Sequence, residues 1–277
     1  PVGPGQPRPA PGRRMRTPAD PSLERVHRHL RAWGGASFSL LKPAYFARRL
    51  RTRWRARGVA DPARYADVLD QDPMECTRLA AALAIGVTGF FRNPEAWTRL
   101  RALLAVELID RVPRVWSAGC ATGEEAWSSA LLLASLGEGA GRGRVDGTDL
   151  DPASLEVARR GSYPARVLGD IRAVLDPAPG EMTGAHYQVP AALRTQVVFS
   201  RADLTMPPVA AGYDLVLCRN VLIYFTVPAQ EQILTNLLGA LRDGGLLMLG
   251  KAELAGTGIL PRLEVVDRRE RIYRRVG

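Results

Sequence analysis

Between Ser22 and Leu104 the apolar residues recur at helical spacing, in the sets Leu23–Val26–Leu30, Tyr45–Phe46–Leu50, Tyr65–Val68–Leu69 and Leu79–Leu83–Ile85. No strand-like alternation intervenes, so the spacing predicts a small all-helical domain over 22–104. From Arg114 the pattern changes to short apolar runs separated by amphipathic stretches. It predicts strands near 114–118, 144–149, 196–200, 213–218 and 245–250, and helices near 123–136, 151–160 and 228–242. Such alternation implies an open α/β sheet over 105–277, with a ligand at the carboxyl ends of its strands. Arg262 to Val276 reads as a closing antiparallel hairpin. Between about 165 and 195 the pattern degrades around Pro177, Pro179, Gly180, Gly184 and Pro190, which predicts a small lobe inserted on the sheet. Residues 1–21 hold seven prolines and three glycines with almost no large apolar residue. They cannot bury enough surface to offset their ordering entropy and are expected to be a disordered leader.

Composition bounds the function. The 277 residues are 46% hydrophobic, enough for a proper core, and no apolar run approaches the length of a membrane span. The first residues lack the apolar stretch of a secretory signal, so cytoplasmic residence is the default. Cys76, Cys120 and Cys218 are too widely spaced to suggest a disulfide framework or a zinc site, and no metal is expected. The net charge of +10 is concentrated: residues 1–57 carry fourteen Lys and Arg against Asp20 and Glu24, while the other 220 carry 24 basic and 26 acidic groups. That field favours an acidic partner. Six arginines, at 48, 49, 51, 53, 55 and 57, share one predicted helix whose buried stripe is Phe46, Leu50 and Trp54.

The chemistry centres on Val112–Ser129, VPRVWSAGCATGEEAWSS. A short apolar strand breaks into Gly119, Ala121 and Gly123 and restarts as a helix at Glu124 and Glu125, so bare main chain lies at the mouth of the sheet. The spacing lacks the third glycine of the dinucleotide fingerprint and the Gly-Lys-Ser/Thr of a phosphate loop. Two glutamates where a phosphate would sit favour a neutral or cationic ligand and point to S-adenosylmethionine. Asp149, at the end of the second strand, is placed to accept hydrogen bonds from a ribose diol; Asp151 is a helix cap followed by Pro152. Arg219 and Asn220 directly follow the buried strand YDLVLC, at the position where chemistry is expected.

Four stretches then carry a resemblance: TGFFRNPEAW at Thr88–Trp97, WSAGCATGEEAWSSA at Trp116–Ala130, TDLDPASLEVARRGSY at Thr148–Tyr163 and CRNVLIYF at Cys218–Phe225. Together they resemble the CheR family of chemotaxis-receptor protein-glutamate O-methyltransferases, over roughly Leu23 to Tyr273. The resemblance implies a class I, Rossmann-like S-adenosylmethionine-dependent methyltransferase sheet with an N-terminal all-helical domain and a small inserted β lobe. It implies S-adenosyl-L-methionine as cofactor, held by Thr88, Arg92, Gly119, Glu124, Glu125, Asp149, Asp203, Leu204, Arg219 and Asn220. Arg92 and Tyr224 would face the reacting centre. It also implies an acidic helical cytoplasmic domain of a chemoreceptor or similar sensory protein as partner, which the basic helix would dock through Arg48, Arg51, Arg53 and Arg55. A monomer is expected, without membrane insertion. The chain departs from the family pattern at Gly86, at Asp203-Leu204 where Asn-Leu is common, and at GKAE (Gly250–Glu253) where Gly-His-Ser-Glu is usual. Lys251 therefore stands near the substrate end of the fifth strand.

Three rivals differ in class. A nucleic-acid methyltransferase would suit the basic N-terminal part, but base N-methylation uses an Asn/Asp-Pro-Pro-aromatic turn where this chain has CRNV, and DLTMPP at Asp203–Pro208 stands elsewhere, so nucleic acid is disfavoured. A non-catalytic adaptor of the same fold is opposed by the presence of Arg92, Arg219, Asn220 and Tyr224. A methyltransferase acting on another, small carboxylic acid would be separated by a substrate screen.

Overall fold

A computed structural model of the chain describes residues 20–277, apart from 85, 87, 109, 110 and 209. Ile85 and nearly all of the expected leader lie outside the described residues. Five helices come first: α1 (Pro21–Gly34), α2 (Pro43–Ala56), α3 (Pro62–Gln71), α4 (Pro73–Leu83) and α5 (Pro94–Glu107). All five start on proline, whose fixed φ and missing N–H suit a first turn. At α1, α3 and α4 the residue before that proline is an aspartate whose carboxylate accepts a backbone N–H of the first turn.

The rest alternates: β1 (Arg114–Ala118), α6 (Glu124–Ala134), α7 (Glu138–Gly141), β2 (Arg144–Asp149), α8 (Pro152–Arg160), β3 (Ser162–Pro164), α9 (Val167–Arg172), β4 (Glu181–Thr183), β5 (His186–Gln188), β6 (Val197–Arg201), β7 (Tyr213–Cys218), α10 (Val227–Ala240), β8 (Leu241–Leu249), β9 (Leu263–Asp267) and β10 (Ile272–Arg275). Seven strands form one sheet in the order β6-β2-β1-β7-β8-β10-β9, parallel from β6 to β8 and antiparallel through β10 and β9. The inserted lobe is a separate sheet, β3-β5-β4, and Tyr163 of β3 ties it to the glycine turn by donating to the Thr122 carbonyl at 2.7 Å. β1, β2 and β7 occupy the residues their apolar runs predict. The fifth strand is longer than expected: β8 begins at Leu241, inside the predicted helix, and its pairing with β7 shifts register between Tyr213 and Leu215. Gly244 at φ +73° lets the chain bend there.

Side chains of successive residues leave a strand on opposite faces. Trp116, Val216 and Leu247 point to one face and pack with α1–α4 and α10; Val115, Leu215 and Leu246 point to the other and pack with α5, α6, α8 and the lobe. Helices α1–α4 thus cover the face of the sheet beside the carboxyl ends of β1, β2 and β7, while α5 belongs to the opposite core.

Candidate active site

The turn after β1 is shaped by its glycines. Gly119 sits at φ +80°, and a Cβ there would lie 2.7 Å from Cγ2 of Val221; at Gly123, φ +93°, it would lie 2.6 Å from Cβ of Ala158. Only glycine satisfies both the dihedral and the contact. Asp149 receives the turn: the N–H of Ala121 donates to one carboxylate oxygen at 2.9 Å and that of Asp151 to the other at 3.0 Å. Burial raises the Asp149 pKa against those backbone hydrogen bonds.

A cleft of about 680 Å³ opens here, floored by Gly119, Asp149, Leu150, Asp203, Leu204 and Val221 and roofed by Trp33, Ser37, Phe38, Leu41 and Leu83 of the helical half. Among the described residues its lining carries the carboxylates of Asp149, Asp151 and Asp203 and no lysine or arginine. Asp203 accepts from the backbone and hydroxyl of Thr205 at 2.9 and 2.7 Å through Oδ1, while its buried Oδ2 has no hydrogen-bond partner. An unpaired acceptor in an anionic, largely apolar cleft fits a nucleoside with an exocyclic amino group and disfavours a phosphate.

A second cavity of about 380 Å³ shares Gly119 and Val221 with the cleft and adds Thr88, Gly89, Arg92, Ala121, Glu125, Arg219 and Asn220. Of the five described non-glycine residues with positive φ, two line it, Ala121 (47°) and Asn220 (63°), and two flank Arg92 in the chain, Phe91 (45°) and Asn93 (61°). Left-handed backbone costs about 1–2 kcal/mol per residue, so it persists where the surroundings over-determine it, and it clusters at functional sites. Here the surroundings can be named. The 2%-exposed Arg219 side chain donates through Nη2 to the Arg92 carbonyl at 2.6 Å and to Asn93 Oδ1 at 3.1 Å, and pairs through Nη1 with Glu125 at 3.5 Å. Phe91 donates its N–H to Ser128 Oγ at 2.9 Å. Glu253, 3% exposed, accepts four backbone N–H groups at 2.7–2.8 Å: Asn220 and Gly250 on Oε2, Val221 and Leu222 on Oε1. Burial pushes the Glu125 pKa up, with Arg219 acting against it, and lowers that of Arg219.

The structure therefore brings Thr88, Arg92, Gly119, Glu125, Arg219 and Asn220 around the cavity, and Gly119, Asp149, Asp203 and Leu204 around the cleft. Glu125 and the two terminal nitrogens of Arg219 bond to the protein itself, fixing the Arg92 loop, while Arg219 Nε and Asn220 Oδ1 are buried without a hydrogen-bond partner. Glu124 turns to Thr122, whose hydroxyl donates to it at 2.7 Å, and burial raises its pKa. Tyr224, expected at the reacting centre, lines neither space; its ring packs on Tyr45 at 4.7 Å. Of the basic helix, Arg48, Arg51 and Arg55 are exposed. Arg53, expected beside them for docking, is turned inward, donating at 2.6 and 2.7 Å to the two oxygens of Glu75, which is fully buried and also accepts from Tyr65 at 2.8 Å. Burial would raise the Glu75 pKa, yet the Arg53 and Tyr65 bonds outweigh it and hold it below the usual range. Lys251 pairs with Glu270 at 3.4 Å and Glu95 at 3.8 Å. Sequence reading missed Glu253 as a clamp and the roof residues of α1 and its following turn.

A glycine turn, a carboxylate after the second strand and an anionic nucleoside cleft on a mostly parallel sheet define the methyltransferase class of α/β fold. Residues 86–265 match the family described as CheR methyltransferase, SAM binding domain, and residues 21–84 match its all-alpha domain. A chemotaxis protein methyltransferase of Salmonella typhimurium is 35% identical over 222 residues, 74% of each chain. A probable biofilm formation methyltransferase of Pseudomonas putida is 34% identical over 86% of this chain and 58% of its own. An uncharacterized 104.1 kDa protein of Rhodobacter capsulatus is 34% identical over 91% of this chain, which spans only 27% of that protein. The chain belongs to the CheR methyltransferase family, and its cofactor is S-adenosylmethionine. Among the described residues, no helix is long and apolar enough to cross a membrane, and no group of three or more His, Cys, Asp or Glu could hold a metal ion.

Proposed function

We propose that this chain transfers the methyl group of S-adenosylmethionine to glutamate side-chain carboxylates of a chemoreceptor or related sensory protein. When bound, the cofactor supplies an electrophilic methyl carbon on a sulfonium. A glutamate with an ordinary pKa of about 4.3 is already ionised at neutral pH. Its oxygen forms the new O–C bond as the S–C electron pair leaves with sulfur, and no proton changes hands. A general base is unnecessary, in keeping with a cavity lined by no histidine. What the chain must supply is orientation, and well-aligned reactants can lower a barrier by about 7–11 kcal/mol. Arg92, exposed on the cavity wall, offers a guanidinium fork to the incoming carboxylate.

The observation that carries the reading is the adjacency of the two spaces, which share Gly119 and Val221 in their linings, with Arg92 lining the second between two left-handed residues. The name of the Salmonella relative, a chemotaxis protein methyltransferase, supports a protein of the chemotaxis system as acceptor, and exposed Arg48, Arg51 and Arg55 favour an acidic helical surface. The test is transfer of labelled methyl to a receptor cytoplasmic fragment, followed by alkali. Label released as methanol is expected; alkali-stable label would place the methyl on nitrogen and end the proposal. Replacing Arg48, Arg51 and Arg55 together by Glu is expected to raise the receptor KM about tenfold without changing cofactor affinity. Equal loss of both would indicate unfolding.

A further inference from the structure

The cofactor cleft has a roof as well as a floor, and the roof holds a polar group without an internal function. Ser37 lies in the short 3-10 segment Ala36–Leu40 that follows α1, is 4% exposed, lines the cleft, and its Oγ is buried without a hydrogen-bond partner. A buried hydroxyl with nothing to bond is destabilising unless the missing partner arrives with a ligand.

The local backbone aims it there. Gly35 has φ +105° and ψ −173°, a conformation essentially restricted to glycine. A Cβ on Gly35 would lie 2.9 Å from Asp203 Oδ2, so the roof turn comes down directly against the other unpaired acceptor of the cleft. The turn is latched from the sheet: Arg201 stacks its guanidinium on the Trp33 ring at 4.5 Å and donates to the Trp33 carbonyl at 2.9 Å. Two unpaired buried oxygens, Ser37 Oγ and Asp203 Oδ2, one from each half of the chain, thus belong to residues lining one cleft.

We propose that Ser37 is a cofactor ligand contributed by the helical half, its hydroxyl bonding a polar atom of the adenosine moiety. A serine hydroxyl can donate or accept, so it suits either kind of purine or ribose atom. The helical half then acts directly in cofactor affinity as well as in docking an acceptor. The inference rests on the family's cofactor and is independent of which protein is methylated.

The experiment is calorimetric titration of the whole chain with S-adenosylhomocysteine, which allows no turnover, and separately with adenosine. Binding of S-adenosylhomocysteine by the unaltered chain is the starting point; its absence would overturn the cofactor assignment and this inference with it. Ser37→Ala is expected to weaken both ligands by the same factor, about three- to tenfold, the worth of one hydrogen bond. Because the substitution removes an unsatisfied buried group, the ligand-free variant should melt no lower than the unaltered chain. Gly35→Ala, which displaces the same turn, should also weaken adenosine. Affinities within twofold for Ser37→Ala, or weakened S-adenosylhomocysteine with adenosine unaffected, would overturn the proposal. So would a lowered melting temperature at unchanged affinity.

Discussion

The cofactor cleft and the cavity of Arg92 share a wall, Gly119 and Val221, yet they are built by opposite means. The cleft is mostly apolar and recruits helices from the other half of the chain, and its polar interest is in oxygens left unpaired, on Asp203 and Ser37. The cavity is polar: Glu125 and the terminal nitrogens of Arg219 are bonded to the protein, Arg219 Nε and Asn220 Oδ1 are buried without a hydrogen-bond partner, and the backbone in its lining and beside Arg92 is left-handed at Ala121, Asn220, Phe91 and Asn93. Unpaired groups gain a partner when a ligand arrives, so the cleft is organised for affinity. Charges already paired within the protein and a constrained backbone hold reacting groups in place, so the proposed function assigns the cavity the larger share in rate.

Breaking the cavity should therefore affect turnover and spare binding. The largest effect is expected from Arg92→Ala. Losing the group proposed to align the carboxylate should lower kcat about a hundredfold, the scale of a small misplacement at a reacting centre. Affinity for S-adenosylhomocysteine should stay within threefold, and Arg92→Lys, which keeps charge but loses the fork, should recover part of the rate. A parallel fall in affinity and rate would show that the two spaces are not separate in function.

Glu253 offers a subtler way in, because it touches neither space and acts through the loop it clamps. Glu253→Gln keeps the volume but sets an NH2 group against backbone donors, so some of the four N–H groups lose their acceptor at about 1–3 kcal/mol. Turnover should fall about tenfold with donor affinity nearly unchanged. Gly250→Ala perturbs the same clamp from outside, since its Cβ would lie 2.7 Å from Glu253 Oε2 and 2.8 Å from the Asn220 nitrogen. In both variants the amides of Asn220, Val221 and Leu222 should exchange hydrogen faster while those of β7 stay protected. Uniform acceleration across the sheet would make Glu253 a stabiliser of the fold and nothing more.

What could be read in advance follows the range of the interactions. The strands β1 and β7 were legible because a buried parallel strand needs only a local apolar run, and the glycine turn because positive φ and close approach leave residue-level traces. The aspartate-proline steps at Asp20, Asp61 and Asp72 carry an equally local cap signal that helical spacing alone did not use. Arg53 sits three residues after buried Leu50, so its inward turn toward Glu75 was partly encoded in periodicity; the identity of its partner, 22 residues on, was not. Glu253 and Ser37 left no such trace. One is defined by backbone donors some thirty residues earlier in the chain, the other by a cleft that exists only after the helical half folds onto the sheet.

The smallest effect tests the electrostatics that join the two spaces. Burial raises the pKa of Asp149 on the cleft, of Glu125 on the cavity and of Glu124 beside them. An acid whose folded pKa is raised stabilises the fold below its unfolded pKa, and that contribution is lost as pH rises through the folded value. Burial therefore penalises the ionised form of each of these carboxylates, and a cation placed among them relieves the cost. S-adenosylmethionine brings a fixed positive sulfonium; S-adenosylhomocysteine has the same amino acid and nucleoside groups without it. The ratio of their affinities isolates that one charge. Lowering the pH through the titration of these carboxylates should reduce the preference for S-adenosylmethionine by about threefold, on the order of 0.6 kcal/mol and modest because Arg219 already offsets Glu125. A ratio that stays flat across that titration would mean that the sulfonium sits beyond the influence of these carboxylates, and that the cleft recognises the nucleoside alone.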